Sequence, residues 1–243
     1  MTTDWFFLNN VFDNTTKNSV KKMNILATDH HDKLLNNVAN PDIQFLYGRF
    51  LPIYQDFKAQ YQAVIANTGM YEGHTQIVAS VFSELSSTKI KYWDIQIQGI
   101  YIEGTPEYKM LLPNMRGPFQ TGGYESRIRE TRALALRLHN FPALSAIEQD
   151  VTLFADKMEQ ARTTQQGYEK ATQDNSALLE EKRLKLAKIM HANFGRLIDV
   201  YIENLAYVEN YYELQYLRAD NSSTNTGDGD VNEPDPIYTT TPV

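Results

Sequence analysis

A stretch of 91 residues without proline, between Pro142 and Pro234, constrains the fold of this chain more than any other feature. Its first part carries mostly apolar side chains at alternating steps of three and four, the period of a helix in coiled-coil-like packing. These residues are Leu144, Ile147, Val151, Phe154, Met158, Ala161, Gln165 and Tyr168. The pattern predicts a long helix that starts after Pro142 and packs one side against other helices.

A second long helix is predicted from about residue 177 to residue 217. Its main apolar stripe contains Leu184, Ala187, His191, Phe194, Ile198, Tyr201, Leu205, Val208 and Tyr212. A neighbouring stripe of Leu186, Met190, Leu197, Val200, Tyr207, Tyr211 and Leu214 widens this face, which predicts a deeply buried helix. The polar residues 173–176 predict a turn, so we expect the two long helices to be antiparallel. The alternative is one continuous rod without a turn.

A helix start is marked by Asn40-Pro41-Asp42, with Asn as the N-cap, Pro at the first helical position and Asp near the positive end of the dipole. Apolar residues between positions 43 and 64 then recur at helical spacing. Pro52 is expected to kink or divide this helix. Gly69 and Gly73 are expected to end it.

Three further segments complete the sequence-based prediction. Helices are expected over about residues 14–38 and about residues 124–139. Residues 75–102 fit a helix, although the alternation of Trp93, Ile95 and Ile97 with polar residues also fits a strand. Residues 103–123 contain seven Gly and Pro residues, which predicts a long irregular loop.

These patterns together predict an all-α fold. We expect an elongated bundle of five or six helices with long antiparallel C-terminal helices, the irregular Gly/Pro loop 103–123 and an extended acidic C-terminal tail. The predicted organisation is an N-terminal aromatic arm at residues 1–13, one helical bundle domain at residues 14–218, and the tail at residues 219–243.

Charge and composition exclude several classes of protein. The formal net charge is −7, of which −5 lies beyond Arg218 in a tail without Lys or Arg, so residues 1–218 carry −2. A nearly neutral body has no global electrostatic attraction for nucleic acid or anionic lipid. The chain has no cysteine, which excludes disulfides and thiolate sites. No apolar run exceeds four residues, so neither a membrane span nor a signal peptide is expected.

The sequence also lacks the motifs of the common enzyme classes. Glycine-rich phosphate loops and the nucleophile elbow do not occur, and no histidine spacing matches a di-iron or HExxH zinc site. Asp29-His30-His31-Asp32 is the one dense group of possible metal ligands. Adjacent helical side chains diverge by about 100°, so we expect His30 at an apolar seam and its neighbours in solvent. We predict no enzyme activity, no metal and no cofactor.

Arginines near the predicted loop form the best candidate site. Arg116 and Arg127 come first, and three more follow before residue 138. Arginine and the free N–H groups of a helix start both suit anions. The alternative is a solvated face with local pairs to Glu125 and Glu130. If the anion site exists, its expected ligand is the acidic tail of a neighbouring copy, through Asp228, Asp230, Glu233 and Asp235.

The N-terminal cluster Trp5, Phe6, Phe7 and Leu8 has two interpretations. It is either a plug packed on its own bundle or an anchor inserted into a neighbouring chain, since aromatic residues dominate interface hot spots. His191 also lies on a predicted seam and is expected to be a hydrogen-bonded core residue.

The functional hypothesis is a non-enzymatic structural subunit of a larger protein assembly, such as a virion or an injection apparatus, held by its terminal arms. Protein partners are therefore expected, as a homo-oligomer or a hetero-assembly, in the cytoplasm or in a particle. One alternative is a ligand- or anion-binding helical module that uses the 103–123 loop. The other is a membrane-active, pore-forming protein that inserts residues 90–102.

Overall fold

The computed structural model describes residues 10–13 and 19–213, and every regular element within these ranges is helical. Five of the helices have nine residues or more. In chain order the helices are α1 (Ser19–Asn36), α2 (Pro41–Glu84), α3 (Ile90–Gln98), α4 (Pro106–Leu111), α5 (Gly117–Gln120), α6 (Tyr124–Leu138), α7 (Ser145–Val200) and α8 (Ala206–Glu209). A π-helical segment, Leu85–Lys89, follows α2, and a 3-10 turn, Pro142–Leu144, precedes α7. The predicted all-α bundle class is confirmed.

The chain divides into two compact units. Unit 1 combines Met1–Thr68 with Thr172–Val243, and unit 2 is the continuous segment Gly69–Ala171. The predicted bundle domain at residues 14–218 therefore contains parts of both units. Helices α2 and α7 each contribute residues to both.

The core of unit 1 is built by α1, the first part of α2 and the last part of α7. Each contributes one apolar stripe at helical spacing. The stripe residues include Met23, Ala27, Leu34, Ile43, Leu46, Phe50, Phe57, Val64, Leu179, Leu186, Met190 and Leu197. Phe12 and the residues Val208, Tyr211 and Tyr212 near the described C-terminal limit join the same core.

The core of unit 2 gathers the second part of α2, the helices α3 to α6 and the first part of α7. Its buried side chains include Val78, Phe82, Leu85, Ile90, Trp93, Ile97, Tyr108, Leu111, Phe119, Leu134, Leu138, Val151, Phe154 and Met158. Trp93 is completely buried and meets the ring of Phe154 edge-on at 5.8 Å.

The predicted antiparallel pair of C-terminal helices is wrong, because α7 continues through residues 173–176 without a turn. Thr172, Ser176 and Leu179 are buried while Gln173 and Asp174 are exposed, so the three-four rhythm simply continues. No Gly or Pro interrupts this stretch, and polar residues on an exposed face do not end a helix. The second predicted helix also ends early, at Val200 rather than residue 217.

Helix α2 likewise runs past the residues that were expected to divide or end it. Pro52 lies inside the helix and on its exposed side. Proline leaves the carbonyl of Gly48 without its N–H partner, and Gly48 is also an exposed residue. Gly69 and Gly73 are helical as well, since a single glycine weakens a helix by only about 1 kcal/mol.

Residues 75–102 are helical up to Gln98, with the π-helical segment in the middle, so the alternative of a strand is excluded. The predicted irregular loop 103–123 is wrong in part, because it contains α4 and α5. Thr105 caps α4 by accepting a hydrogen bond from the N–H of Tyr108, and Pro106 occupies the first helical position. Gly104 and Gly122 both adopt a φ of +94°, which favours glycine.

Several predictions lie outside the described residues. These are the aromatic cluster at residues 5–8, the acidic tail at residues 219–243, and the predicted start of the first helix at residues 14–18.

Candidate functional site

The most elaborate polar site in unit 1 lies where the two described ends of the chain meet. We call it the chain-end site and define it by Phe12, His30, Arg183, Asn193 and Tyr212. Phe12 comes from the N-terminal segment, His30 from α1, Arg183 and Asn193 from α7, and Tyr212 from the segment after α8. The rings of Phe12 and Tyr212 are 5.1 Å apart, so the two ends contact each other directly.

His30 is the centre of the chain-end site and is completely buried. Its Nδ1 donates to the carbonyl of Tyr211 at 2.9 Å. Because the proton is on Nδ1, Nε2 accepts from the Nδ2 of Asn193 at 3.2 Å. The imidazole stacks on the ring of Tyr212, with 4.3 Å between centroids, and meets Phe50 edge-on at 4.9 Å. One histidine thus joins α1, α2, α7 and the C-terminal segment.

The C-terminal segment is fixed by further hydrogen bonds on either side of His30. The hydroxyl of Tyr212 donates to the carbonyl of Met190 at 2.9 Å. The backbone N–H of Glu213 donates to Asp29 at 3.0 Å, and Lys33 bridges to the same aspartate at 2.9 Å. Within the cluster 29–32 only Asp32 is exposed, so the expectation that the neighbours of His30 are solvated is wrong for Asp29 and His31.

The N-terminal segment is held by Arg183. This arginine is almost completely buried, donates through Nε and Nη2 to Glu180 at 2.8 Å each, and donates through Nη2 to Asp13 at 2.8 Å. Beside this ion pair, Phe12 packs edge-on against Phe194 at 6.2 Å. An aromatic contact and a charge-assisted hydrogen bond therefore fix two consecutive residues of this segment.

Burial and hydrogen bonding set the protonation states at the chain-end site. Burial lowers the pKa of His30 to about 4, against the opposing effect of its hydrogen bond to the Tyr211 carbonyl. Burial also raises the pKa of Tyr212 well above its ordinary value. The hydrogen bond to Glu180 raises the pKa of Arg183 despite burial. At neutral pH the site thus contains a neutral imidazole, a neutral phenol and a paired guanidinium.

Three buried polar atoms of this region have no hydrogen-bond partner among residues 10–13 and 19–213: Nη1 of Arg183, Oδ1 of Asn193 and Nδ1 of His191. The prediction of a hydrogen-bonded core histidine is therefore wrong for His191, which is half-buried and packs against Phe12 with 6.4 Å between ring centroids.

Unit 2 contains a second polar site, which we call the Asp94 network and define by Asp94, Gln98, Tyr108 and Arg116. Asp94 lies on the buried side of α3, between Trp93 and Ile97. Its Oδ1 accepts from the Tyr108 hydroxyl at 2.8 Å and from Gln98 at 3.1 Å, and its Oδ2 accepts from Nε of Arg116 at 2.5 Å.

The Asp94 network connects α3, α4 and the loop before α5. Burial and then the hydrogen bond to Asp94 raise the pKa of Tyr108 to about 12, so its phenol stays protonated and donates. Arg116 uses Nε for Asp94, and its terminal nitrogens have no hydrogen-bond partner among the described residues. Met115, the residue before it, has a φ of +53°, an uncommon conformation for a side chain other than Gly.

Arg127, the other arginine of the predicted anion site, is buried and bonded to neutral groups. It donates to the carbonyl of Phe119 at 2.9 Å, to the carbonyl of Phe82 at 2.6 Å and to the hydroxyl of Ser86 at 2.9 Å. Its guanidinium also lies over the Phe82 ring, 5.0 Å from the centroid. Burial lowers its pKa. These contacts support the π-helical segment, whose wider turn disrupts the regular hydrogen-bond ladder.

The other arginines of this region are engaged within the chain. Arg132 pairs with Asp156 and Glu159 across to α7, Arg137 pairs with Glu130, and Arg129 bonds Ser126. The structure therefore brings Asp94 and Arg116 together, as the sequence did not predict, and it directs Arg127 away from solvent. A signal for Asp94 exists only once the register of α3 is known, because Asp94 lies four residues after Ile90 and three before Ile97. The apolar spacing along residues 75–102 as a whole instead predicts Tyr92 and Ile95 on the buried side, and this prediction is wrong.

Exposed apolar side chains occur on the elements that the Asp94 network joins and on the segment between α3 and α4. Two of them, Tyr92 and Ile95, lie on the outer side of α3, three residues apart and opposite the buried Trp93 and Ile97. We define the outer apolar group by the exposed fractions of Tyr92 (47%), Ile95 (59%), Ile102 (74%), Met110 (62%) and Met115 (51%). A helix that buries an aspartate and exposes an isoleucine reverses the usual polarity, and such a surface is informative.

Other kinds of site are not found in the described ranges 10–13 and 19–213. No group of three acidic or histidine side chains there is placed to hold a metal ion. No helix in the same ranges has the length and apolar character to cross a bilayer.

Comparison with known proteins gives no match to a protein-family model, to a curated protein sequence or to a solved structure. The two polar sites and the outer apolar group are therefore the features that point to a function.

Proposed function

We propose that the protein is a non-catalytic structural subunit of a larger protein assembly, joined to its neighbours by its terminal segments. The contact between Phe12 and Tyr212 carries this proposal, because it places the two ends of the described chain at one site. The residues before Asn10 and after Glu213 are therefore attached to the fold at the same place.

The strength of this attachment supports the proposal. A segment that transmits force between subunits needs a firm connection to its own fold. Here the connection combines stacked rings, an ion pair between Asp13 and the buried Arg183 at the N-terminal end, and hydrogen bonds to the backbone of Tyr211 and Glu213 at the C-terminal end. Each buried hydrogen bond of this kind stabilises by about 1 kcal/mol, and those to charged groups by about 2 kcal/mol.

The chemistry of the terminal segments suits binding to protein. The segment before Asn10 contains Trp5, Phe6, Phe7 and Leu8, and aromatic residues are the types that anchor interfaces. In the segment after Arg218 all charged residues are acidic. A virion or an injection apparatus is the class of assembly that we propose, since such particles use non-catalytic subunits with interlocking ends.

The test is the solution mass of the full chain and of a chain that ends at Arg218, measured by size-exclusion chromatography with light scattering over a range of concentrations. We expect the full chain to exceed its monomer mass of 27.9 kDa and the shortened chain to approach it. A monomeric full chain that binds none of its genetic neighbours would end the proposal.

A second candidate function is an anion-binding module that uses the loop 103–123. The terminal nitrogens of Arg116 favour it, because Asp94 orients the guanidinium and leaves these donors without a partner in the described part of the chain. The variant Arg116→Gln should then lose the thermal stabilisation that inorganic phosphate or a dicarboxylate gives the wild type. Equal melting shifts in both proteins would exclude this module.

A further inference from the structure

Unit 2 exposes large apolar side chains, the outer apolar group, on elements that the Asp94 network joins, and its own core does not bury them. Helix α3 buries Asp94 at the cost of three dedicated hydrogen-bond donors, while Ile95 next to it is 59% exposed. Exposing an apolar side chain of this size forgoes most of the free energy that its burial would contribute. The outer apolar group as a whole is therefore expected to be covered by something else.

The Asp94 network holds this surface in a fixed arrangement. Asp94 precedes Ile95, Arg116 follows Met115, and Tyr108 lies two residues before Met110. The hydrogen bonds among Asp94, Tyr108 and Arg116 consequently tie together the elements that carry three members of the outer apolar group. Preorganisation of this kind lowers the entropy cost of binding.

Charge on this surface indicates the kind of segment that covers it. Within the described residues, the terminal nitrogens of Arg116 have no hydrogen-bond partner, and exposed Lys91 and Lys109 have no ion pair. Two acidic residues, Glu103 and Glu107, lie in the same stretch and offset part of the positive charge. The attraction for an anion is therefore limited to the immediate surroundings of the three cations. The surface thus suits a segment in which carboxylates and apolar side chains alternate.

The chain itself contains such a segment. After Arg218 it has five acidic residues and no basic one, and the run from Asp230 to Tyr238 interleaves acids with apolar residues. Val231, Ile237 and Tyr238 are the apolar members of this run. No other part of the sequence combines five carboxylates with the complete absence of Lys and Arg over so long a stretch.

We propose that the outer apolar group and Arg116 bind the acidic C-terminal tail, residues 219–243, of a second copy of this chain. Carboxylates of the tail meet the terminal nitrogens of Arg116, and its apolar residues cover Ile95 and Met115. This inference rests on the proposed function, because it names the surface that receives one of the joining segments. It adds the partner, which is a second copy, and the chemistry of recognition.

The test uses the full chain and three matched variants in sedimentation equilibrium at low and high salt. Ile95→Ser with Met115→Ser removes the apolar part of the surface and leaves the Asp94 network intact. Replacing Asp228, Asp230, Glu233 and Asp235 by their amides removes four charges from the tail without touching the described fold. Leu136→Ser is the control, because Leu136 is also exposed (75%) on unit 2 but lies on α6.

We expect the surface variant and the tail variant each to weaken self-association by at least about tenfold, and the control to match the wild type. High salt should weaken the wild type more than the tail variant. Circular dichroism and thermal melting of every variant identify misfolding. If the surface variant misfolds, Met115→Gln alone takes its place.

Distinct outcomes overturn the inference and the proposed function. Self-association that requires residues 219–243 but is unchanged in the surface variant overturns the inference alone. The NMR chemical shifts of the Met110 and Met115 methyl groups give a second test. If removal of the tail changes these shifts and protein concentration does not, the tail docks within one chain, which also overturns the inference. Anionic phosphatidylserine vesicles that bind wild type and tail variant equally, and not the surface variant, identify a lipid surface instead. A monomeric full chain overturns the inference, and it also ends the proposed function if the chain binds none of its genetic neighbours.

Discussion

Acid should loosen the chain-end site through a single residue, His30. In the fold its imidazole is neutral, with the pKa lowered to about 4 from an ordinary value of 6.5, first of all by burial. In the unfolded chain the same imidazole takes up a proton as the pH falls through 6.5. The unfolded state then binds more protons than the folded state, so the free energy of unfolding falls with falling pH.

The size of this effect follows from the two pKa values. Above about pH 7.5 both states are neutral and His30 contributes no pH dependence. At about pH 5 the unfolded imidazole is almost fully protonated and the folded one almost fully neutral, which lowers the free energy of unfolding by about 2 kcal/mol. Protonation in the fold would also place an N–H at Nε2, facing the amide nitrogen of Asn193.

Region-resolved hydrogen–deuterium exchange measures this effect where it acts. After correction for the intrinsic exchange rate, the amides of α1 and of residues 201–213 should exchange about 30-fold faster at about pH 5 than at about pH 7.5. The variant His30→Gln cannot titrate and should lose this part of the pH dependence. His139→Gln is the matched control, since its side chain is 77% exposed. Equal pH dependence in wild type and His30→Gln would refute the reasoning.

Three further predictions concern stability. Phe12→Ala should lower the free energy of unfolding by about 3 kcal/mol and speed exchange at residues 201–213, because Phe12 packs on Tyr212; unchanged exchange there would contradict the shared site. Asp94→Ala should lower the free energy of unfolding, measured by urea denaturation, by about 3 kcal/mol, because it leaves the Tyr108 hydroxyl without its acceptor. A loss below about 1 kcal/mol would contradict the network. Arg127→Met should lower the free energy of unfolding, measured by thermal denaturation, by about 2 kcal/mol and leave phosphate binding unchanged, because the donors of Arg127 bond carbonyl groups. A selective loss of phosphate binding would show that Arg127 belongs to the anion site.

The sequence predicts the all-α class well because the apolar stripes are long and regular. It misplaces element boundaries where local signals compete with tertiary packing. Residues 173–176 have the composition of a turn, yet they contain no Gly or Pro to break a helix. Thr172 and Ser176 are buried four residues apart, so the helical spacing of core residues continues through this stretch. Pro52 is tolerated because it lies on an exposed face.

The chain-end site was beyond sequence-based prediction for a different reason. Its partners are far apart in the chain: His30 meets Tyr211, and Arg183 meets Asp13. Periodicity assigns a residue to a face, but it does not assign its partner. The same limit applies to Arg127. The sequence predicts that it binds an anion, and only the three-dimensional positions of the Phe82 and Phe119 carbonyls show what its N–H groups bond.

The discontinuity of unit 1 has a consequence for biogenesis. Unit 2 is one uninterrupted segment, Gly69–Ala171, whereas unit 1 needs chain from both sides of it. A ribosome therefore releases all of unit 2 before the partners of α1 on α7 and in the C-terminal segment have been synthesised, and we expect vectorial folding to complete unit 2 first. Helix α1 and the first part of α2 contact each other early, but the apolar side chains that they pack against α7 stay exposed until residues 172–212 emerge, so truncated translation products should be targets for chaperones and proteases.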